Sequence, residues 1–232
     1  MKAAIRSLAL SALLVAGLTG CVGETTDASS SGGQTERQNG DSLEGHEDDT
    51  QVTLSAEQLR VALPSDGSLP AGWIGGFRSK SRVEVGPEAA DECGGDTGTS
   101  CAGLTAVGKR RIETPEDLPA GDRGASVHFT VYAFGSVEDA RVAMKGLVKT
   151  VHAGTEGQIP TSPLKISAGA DETDAFSQGD AGDYSTDVML RVGATVVRLW
   201  GSDLKATEDM QVLAKYQVDR LVKTAEGKNP DA

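Results

Sequence analysis

The chain has 232 residues, a formal net charge of -12 and three cysteines, with 29 glycines and only 4% aromatic residues. This length fits one domain of ordinary size together with extended segments. The acidity argues against general nucleic-acid binding, which needs Lys and Arg to neutralise phosphates, and no apolar run reaches the roughly 20 residues that cross a bilayer.

Residues 1–20 have the layout of a secretory signal. Two basic residues precede an apolar stretch from Leu8 to Leu18, and small residues follow it. The stretch ends in Leu18-Thr19-Gly20-Cys21, which resembles the lipobox of bacterial lipoproteins. That resemblance implies that the chain is cut before Cys21 and that the Cys21 thiol carries the lipid that anchors it to the outer face of the cell membrane. The alternative is an ordinary secretory signal with an incidental cysteine.

Residues 21–52 form a polar segment rich in Gly, Ser, Thr and acidic residues. It contains eight acids and one base, Arg37. Its apolar surface is too small to offset the entropy of ordering the chain. We therefore expect a disordered acidic tether with a root-mean-square span of roughly 30 Å, followed by a single folded domain over residues 53–232.

The first part of this domain is predicted to contain one helix and three strands. A short amphipathic helix is expected from Ser55 to Leu63, just before a proline. Strands are expected from about Trp73 to Val85 and from Leu104 to Ile112. The clearest strand runs from Ala125 to Phe134, where apolar and polar residues alternate. That alternation predicts one face in the core and one face in solvent.

A longer helix follows the clearest strand. Ser136 is expected to cap it, with Asp139 at the capping-box distance, and an apolar stripe runs to about Gly154. Beyond it, the sequence predicts a short strand at Leu164 to Ser167 and a weaker one near Ala175.

The end of the domain is predicted to be a hairpin and a helix. Strands over Asp187–Val192 and Thr195–Trp200 are joined at Gly193-Ala194, and the last helix runs from Thr207 to Ala225. This order of elements predicts an α+β fold in which helices pack on an antiparallel sheet.

Two cysteines remain once Cys21 is assigned to the lipid. Outside the cytoplasm, Cys93 and Cys101 are expected to form a disulfide that closes a Gly-rich loop. A metal site would need two further ligands nearby, and no His or other Cys lies within twenty residues of the pair. A redox motif would place only two residues between the cysteines.

Several short motifs of the chain occur together. They are the lipobox, the acidic linker, Leu-Pro-Ala-Gly-Trp at 69–73, Gly-Asp-Tyr-Ser at 182–185, and Leu-Arg-Val-Gly-Ala-Thr-Val-Val before the terminal helix. With these motifs the chain resembles actinobacterial surface lipoproteins related to the PknH-like extracellular sensor domain. The resemblance implies an α+β domain without known catalysis that serves as a sensor or binding module. The chain differs from the kinase-linked members in lacking a kinase, a membrane-spanning helix and a second cysteine pair.

One string in the chain matches a catalytic motif. Gly40-Asp41-Ser42-Leu43 spells the nucleophile block of GDSL esterases, but it lies in the predicted tether with no strand before it. Neither His128 nor His152 has an Asp three residues earlier. A nucleophile needs a base within hydrogen-bond reach, which a flexible tether cannot hold in place. We therefore assign no catalytic residue.

The remaining charged candidates are assigned structural roles. His128 is expected on the outer face of its strand, His152 at the end of a helix, and His46 in a solvated charge run. Lys109-Arg110-Arg111 is a basic island that is interpreted as edge or ion-pair material, with partner docking as the alternative. A further group of acids recurs through a Gly-rich stretch, and turn-forming and capping roles are preferred for them over calcium binding. These acids are Asp171, Glu172, Asp174, Asp180, Asp183 and Asp187.

The expected function is that of a lipid-anchored, extracytoplasmic, non-enzymatic sensor or binding module. Its partners are expected to be the membrane, through the lipid on Cys21, and an envelope protein or small ligand, but not nucleic acid. No cofactor or metal is assigned. The alternatives are a secreted GDSL-type esterase that uses Ser42, and a lipid carrier, which would need an apolar cavity.

Overall fold

The computed structural model describes residues 52–76, 79–115, 124–155, 160–179, 185–204 and 207–232. The predicted signal, the tether as far as residue 51, and the assignments to Cys21, Ser42, His46, Asp180 and Asp183 lie outside these ranges.

One antiparallel sheet forms the middle layer of the described structure. Its strands are ordered β1-β3-β4-β8-β7-β6-β5, and β2 pairs with β3 beside β1. The strands are β1 (Ile74–Gly75), β2 (Arg82–Glu84), β3 (Leu104–Glu113), β4 (Ser126–Phe134), β5 (Thr161–Pro163), β6 (Glu172–Gln178), β7 (Ser185–Val192) and β8 (Thr195–Ser202).

Helices cover both faces of this sheet. The helices are α1 (Ala56–Ala62), α2 (Pro87–Thr97), α3 (Val137–Thr155) and α4 (Thr207–Ala225). The first and last pack on one face and the middle two on the other. The predicted α+β class, with helices packed on an antiparallel sheet, is confirmed. None of the helices in the described ranges is both long enough and apolar enough to span a bilayer.

Side-chain caps explain where two of the helices begin. The Gln58 amide donates to Ser55 Oγ at 3.3 Å, and the Ser55 amide donates to Gln58 Oε1 at 3.0 Å, which completes a capping box before α1. The Asp139 amide donates to Ser136 Oγ at 3.1 Å before α3. The predictions of α1, α3 and α4 are confirmed.

The core is divided by the sheet into two clusters. Phe129 and Val131 of β4 belong to the cluster under α1 and α4, whereas Tyr132 and Phe134 belong to the cluster under α2 and α3. The prediction that β4 has one solvent face is therefore wrong at this end of the strand, because two helices cover it. Val52, which the sequence assigns to the end of the tether, is 2% exposed, and its carbonyl accepts from the Ala194 amide.

The segment predicted as one strand from Trp73 to Val85 contains two short strands instead. Gly75 pairs with Ile112 and Arg82 pairs with Lys109, so the chain between them is too long to follow β3 in register. The strands β1 and β2 therefore pair with two different parts of β3.

The strand predicted over Leu164–Ser167 is also wrong. The strand β5 ends at Pro163, and the next residues turn toward α4, where the Gln211 side chain binds the Ser167 amide at 2.8 Å and its carbonyl at 2.7 Å. The weaker strand predicted near Ala175 is present as β6.

The Gly-rich region around the two remaining cysteines contains a helix. Cys93 lies in α2 and Cys101 lies before β3, and their sulfurs are bonded at 1.93 Å. The bridge thus ties the interior of α2 to the residues just before β3, rather than closing a plain loop. This geometry fits the predicted pairing of Cys93 with Cys101.

Candidate functional site

An open cleft of about 920 Å³ lies beside β2, β3 and β4. Five of its described lining residues are Lys or Arg and none is Asp or Glu, although the whole chain has a net charge of -12. We call it the basic cleft. Its described lining residues are Ser79, Lys80, Ser81, Arg82, Lys109, Arg110, Arg111, His128, Phe129 and Thr130.

The strand register brings the cations of the basic cleft together. Lys109 lies between Arg82 on β2 and Thr130 on β4, and Arg111 lies opposite His128. Directly paired residues point to the same face of a sheet, with strands about 4.8 Å apart and alternate residues of one strand about 6.7 Å apart. Several positive side chains therefore project from a small area that α2 and α3 leave uncovered.

One wall of the cleft is formed by residues 79–81, which precede β2. Arg110 points to the opposite face, where it is 7% exposed and donates to the Ser79 carbonyl and to the Asp66 carboxylate. The Arg111 amide donates to Ser79 Oγ at 3.1 Å. Lys109 and Arg111 therefore lie on one face of β3 and Arg110 on the other, as expected of a strand. The hydrogen bond from Arg110 to the Ser79 carbonyl holds the wall against β3.

Carboxylates border the basic cleft. Lys109 forms an ion pair with Glu92 of α2, Arg82 with Glu84 at 2.8 Å, and Arg111 approaches a further carboxylate at 3.7 Å. The three cations remain 40–65% exposed whereas their carboxylate partners are only 15–19% exposed, so the pairs orient the cations without committing all of their donors. Burial raises the pKa of Glu92, and Lys109 acts in the opposite direction.

His128 separates the cations from an exposed tryptophan. Burial lowers the pKa of His128, and the nearby charges of Arg111 and Lys109 lower it further, so the imidazole is neutral at pH 7. Its ring centroid lies 5.2 Å from that of Trp200, the residue paired with it on β8, and Trp200 is 36% exposed. As predicted, His128 lies on the strand face away from the main core.

The arrangement favours binding of an anion. Lys and Arg side chains donate several hydrogen bonds each, and bonds from charged donors to an anion are shorter and stronger than neutral ones. Hydroxyl groups of Ser79, Ser81 and Thr130 add neutral donors around the same space.

The other predicted site residues lie away from the basic cleft. His152 Nε2 is 2.8 Å from Asp174 Oδ1 and its ring stacks near Phe176, so a carboxylate partner replaces the simple solvation expected there. Asp171 and Glu172 bind Arg191.

Asp187 is 1% exposed and pairs with Arg198 at 2.8 Å. Burial raises the pKa of Asp187, whereas Arg198 opposes that shift. The described acids of this region thus pair with arginines and a histidine. Within the described ranges, no group of three or more His, Cys, Asp or Glu side chains could hold a metal ion.

The sequence interpretation missed three residues of this region: Lys80, Arg82 and Trp200. A signal was present in Ser79-Lys80-Ser81-Arg82, where small hydroxyl and basic residues alternate with the period of a strand. No local sequence pattern indicated that this segment pairs with β3, and none indicated that Trp200 is exposed.

The chain is similar to a solved structure of an extracellular domain. It is the crystal structure of the extracellular domain of PknH from Mycobacterium tuberculosis, with a TM-score of 0.41 and 17% identity over 74% of this chain and 93% of that chain. No protein-family model matches this chain, and no curated protein matches its sequence.

Proposed function

We propose that this protein is a lipid-anchored, extracytoplasmic, non-enzymatic binding module or sensor whose basic cleft takes an anionic ligand. The main support is the grouping of Lys80, Arg82, Lys109 and Arg111 around the cleft, with no acid among the described lining residues, in an otherwise acidic chain. Carboxylates already pair with three of these cations, and an anion in the cleft would give their remaining donors further acceptors.

The proposed location rests on the amino-terminal sequence. Residues 1–20 are the signal, Cys21 is the lipidated residue, residues 21–52 are the tether and residues 53–232 are the binding domain. In this arrangement the cleft faces ligands of the cell envelope, either small anions or acidic groups on a partner protein.

The two alternatives receive less support. The esterase would need a base held beside Ser42, and Ser42 lies in the predicted tether, which cannot hold a base in position. The lipid carrier would need an apolar cavity, whereas the basic cleft has charged walls.

The binding of inorganic phosphate tests the proposed function. Titration calorimetry on the mature chain carrying Cys21→Ser should detect binding that weakens as salt rises. Lys109→Gln combined with Arg111→Gln should reduce the affinity at least about tenfold, since hydrogen bonds to charged groups contribute roughly 1.5–3 kcal/mol each. Lys80→Gln, on an exposed side chain, should act in the same direction.

A control of equal charge change is Lys215→Gln with Lys228→Gln. Both side chains are more than half exposed and each pairs with a nearby carboxylate, on or just after α4. This control should bind phosphate within about twofold of the parent protein. Equal losses in the two double variants would contradict a specific role for the basic cleft.

A further inference from the structure

We infer that the basic cleft and the adjoining rings of His128 and Trp200 together bind a phosphorylated sugar or similar polyol ring, with the phosphate over β3 and the ring over β4 and β8. This inference rests on the proposed function and specifies the ligand. It is carried by three observations: the donors around Lys109 and Arg111, the exposed indole in register beside them, and the carboxylates at the border.

The donor set matches a phosphate ester better than a carboxylate. A phosphate monoester carries up to two negative charges and three acceptor oxygens. Lys109 and Arg111 project from one face of β3, about 6.7 Å apart at the backbone, and Arg82 lies one strand away. Guanidinium groups match phosphate with two parallel hydrogen bonds, and the serine hydroxyls of the wall complete the surroundings.

The ring is expected on the β8 side of the cleft. His128 is paired with Arg111 on one side and with Trp200 on the other, so the three side chains form a row across β3, β4 and β8. Each step across the row is about 4.8 Å, close to the width of a sugar ring. The 36% exposed indole offers an apolar face for the C–H groups of such a ring, and a neutral imidazole can bind its hydroxyls.

The border of the cleft favours a short ligand over a long polyanion. Glu84, Glu92 and Glu113 lie next to the cations that they pair with. A nucleic acid or other extended polyanion would bring further phosphates against these carboxylates and against a chain of net charge -12. A single phosphate attached to one ring brings less negative charge near these carboxylates than a chain of phosphates does, and the cleft volume of about 920 Å³ is in the range of small-ligand sites.

The test compares glucose 6-phosphate, glucose and inorganic phosphate by titration calorimetry on the mature protein. Glucose 6-phosphate should bind about tenfold more tightly than phosphate, because the ring adds stacking on the indole. Trp200→Ala should remove this difference and leave phosphate binding within about twofold. Trp200→Phe should keep most of the difference, and Val212→Ala, which shortens an exposed apolar side chain on α4, should leave it unchanged.

The outcomes separate this inference from the proposed function. Phosphate binding that depends on Lys109 and Arg111, but with no preference for the sugar phosphate or none that Trp200→Ala removes, overturns the inference and leaves the anion site intact. Failure of both anions to bind overturns both proposals. Tighter binding of a short oligothymidylate than of glucose 6-phosphate also overturns the inference, in favour of a nucleic-acid ligand.

The same chemistry can come from a soluble sugar phosphate or from a lipid headgroup. Cosedimentation with vesicles that contain phosphatidylinositol 4-phosphate, whose ring carries a phosphate monoester, distinguishes these two sources. Binding to those vesicles above binding to phosphatidylglycerol vesicles of equal charge identifies a headgroup ligand. Equal binding to both vesicle types, together with the Trp200-dependent preference in solution, identifies a soluble one.

Discussion

Buried arginines hold together segments that are distant in the sequence. Arg220 of α4 is 2% exposed and donates to the carbonyls of Val61 and Ala62, to Ser68 Oγ, and to Asp231 near the carboxyl terminus. One side chain thus joins α1, the loop after it and the last residues. A charged group at this depth is tolerated because each of its nitrogens has an acceptor.

We predict that Asp231→Asn destabilises the protein in a pH-dependent way. Hydrogen bonds from Arg220, Ser68 and Ser65 lower the pKa of Asp231 to about 2. Because the unfolded value is about 3.9, the carboxylate stabilises the fold above about pH 4, and this contribution is lost as the pH falls to about 2. Urea denaturation should show a loss of roughly 1–2 kcal/mol at pH 7, reduced by the partial exposure of Asp231, and a smaller loss near pH 2.5.

Asp219→Asn is the matched control for this prediction. Asp219 pairs with Lys215 at 2.9 Å on the exposed side of α4, and such a pair contributes only about 0.5 kcal/mol. If Asp231→Asn cost no more than Asp219→Asn, or cost the same at both pH values, the assigned role of Asp231 would be wrong.

The helices α2 and α3 pack closely against each other at Gly146. Gly146 of α3 lies against the end of α2, where a Cβ atom would fall well inside the contact distance of the Thr97 carbonyl oxygen and the Thr99 methyl group. The disulfide from Cys93 to Cys101 spans this region and limits how far it can move. Glycine at 146 therefore permits the contact between the two helices.

Gly146→Ala should destabilise the protein although alanine is the better helix former. The clash with backbone atoms is expected to cost roughly 1–3 kcal/mol, more than the gain of about 1 kcal/mol in helix propensity. Gly95→Ala, in α2 with nothing within 4 Å of its added Cβ, should instead stabilise by roughly 0.5–1 kcal/mol. Thermal denaturation of both variants checks the opposite signs, and a stabilised Gly146→Ala variant would refute the packing argument.

The elements that the sequence predicted well are those with strong local signals. Ser55 and Ser136 mark helix starts through capping, and Gly193-Ala194 marks the hairpin turn that joins β7 to β8. The helix α2 was missed because Gly94 and Gly95 lower its propensity, and contacts with α3 and the disulfide stabilise it instead. Those contacts are tertiary, so they produce no periodic pattern of apolar residues in the sequence.

The candidate site was only partly predictable for a similar reason. The sequence predicted that His128 lies on the outer face of its strand and that Lys109-Arg110-Arg111 is edge or ion-pair material, with partner docking as the alternative. It did not show that the chain leaves the sheet after Gly75 and returns at Arg82 to pair with Lys109. Strand pairing of this kind joins distant residues, so the basic cleft became visible only in three dimensions.

At the scale of the whole molecule, charge is distributed unevenly along the chain. The segment 21–52 carries eight acids and one base, whereas Lys80, Arg82, Lys109 and Arg111 of the folded domain lie together around the basic cleft. An acidic chain with one local positive region attracts small anions at short range and repels extended polyanions at longer range. Raising the ionic strength should weaken both effects.

Cys21→Ser should release the protein from membranes. Without the thiol no acyl chain can be attached, and the described domain has no helix suited to spanning a bilayer. Fractionation of expressing cells should find the variant in the soluble fraction and the parent protein with membranes. Ser42→Ala, a comparably small change in the same segment, should leave the protein on membranes, and a membrane-bound Cys21→Ser variant would contradict lipid anchoring.

The contact between Glu92 and Lys109 has a consequence for ligand binding. Burial already raises the pKa of the Glu92 carboxyl group, and the nearby Lys109 ammonium restrains that shift. An anion that draws the Lys109 ammonium toward itself weakens the attraction that offsets the burial of the Glu92 carboxylate. The Glu92 carboxyl group then takes up a proton more readily. Occupancy of the basic cleft should therefore be linked to proton uptake, and mild acidification of the surroundings should favour the occupied form.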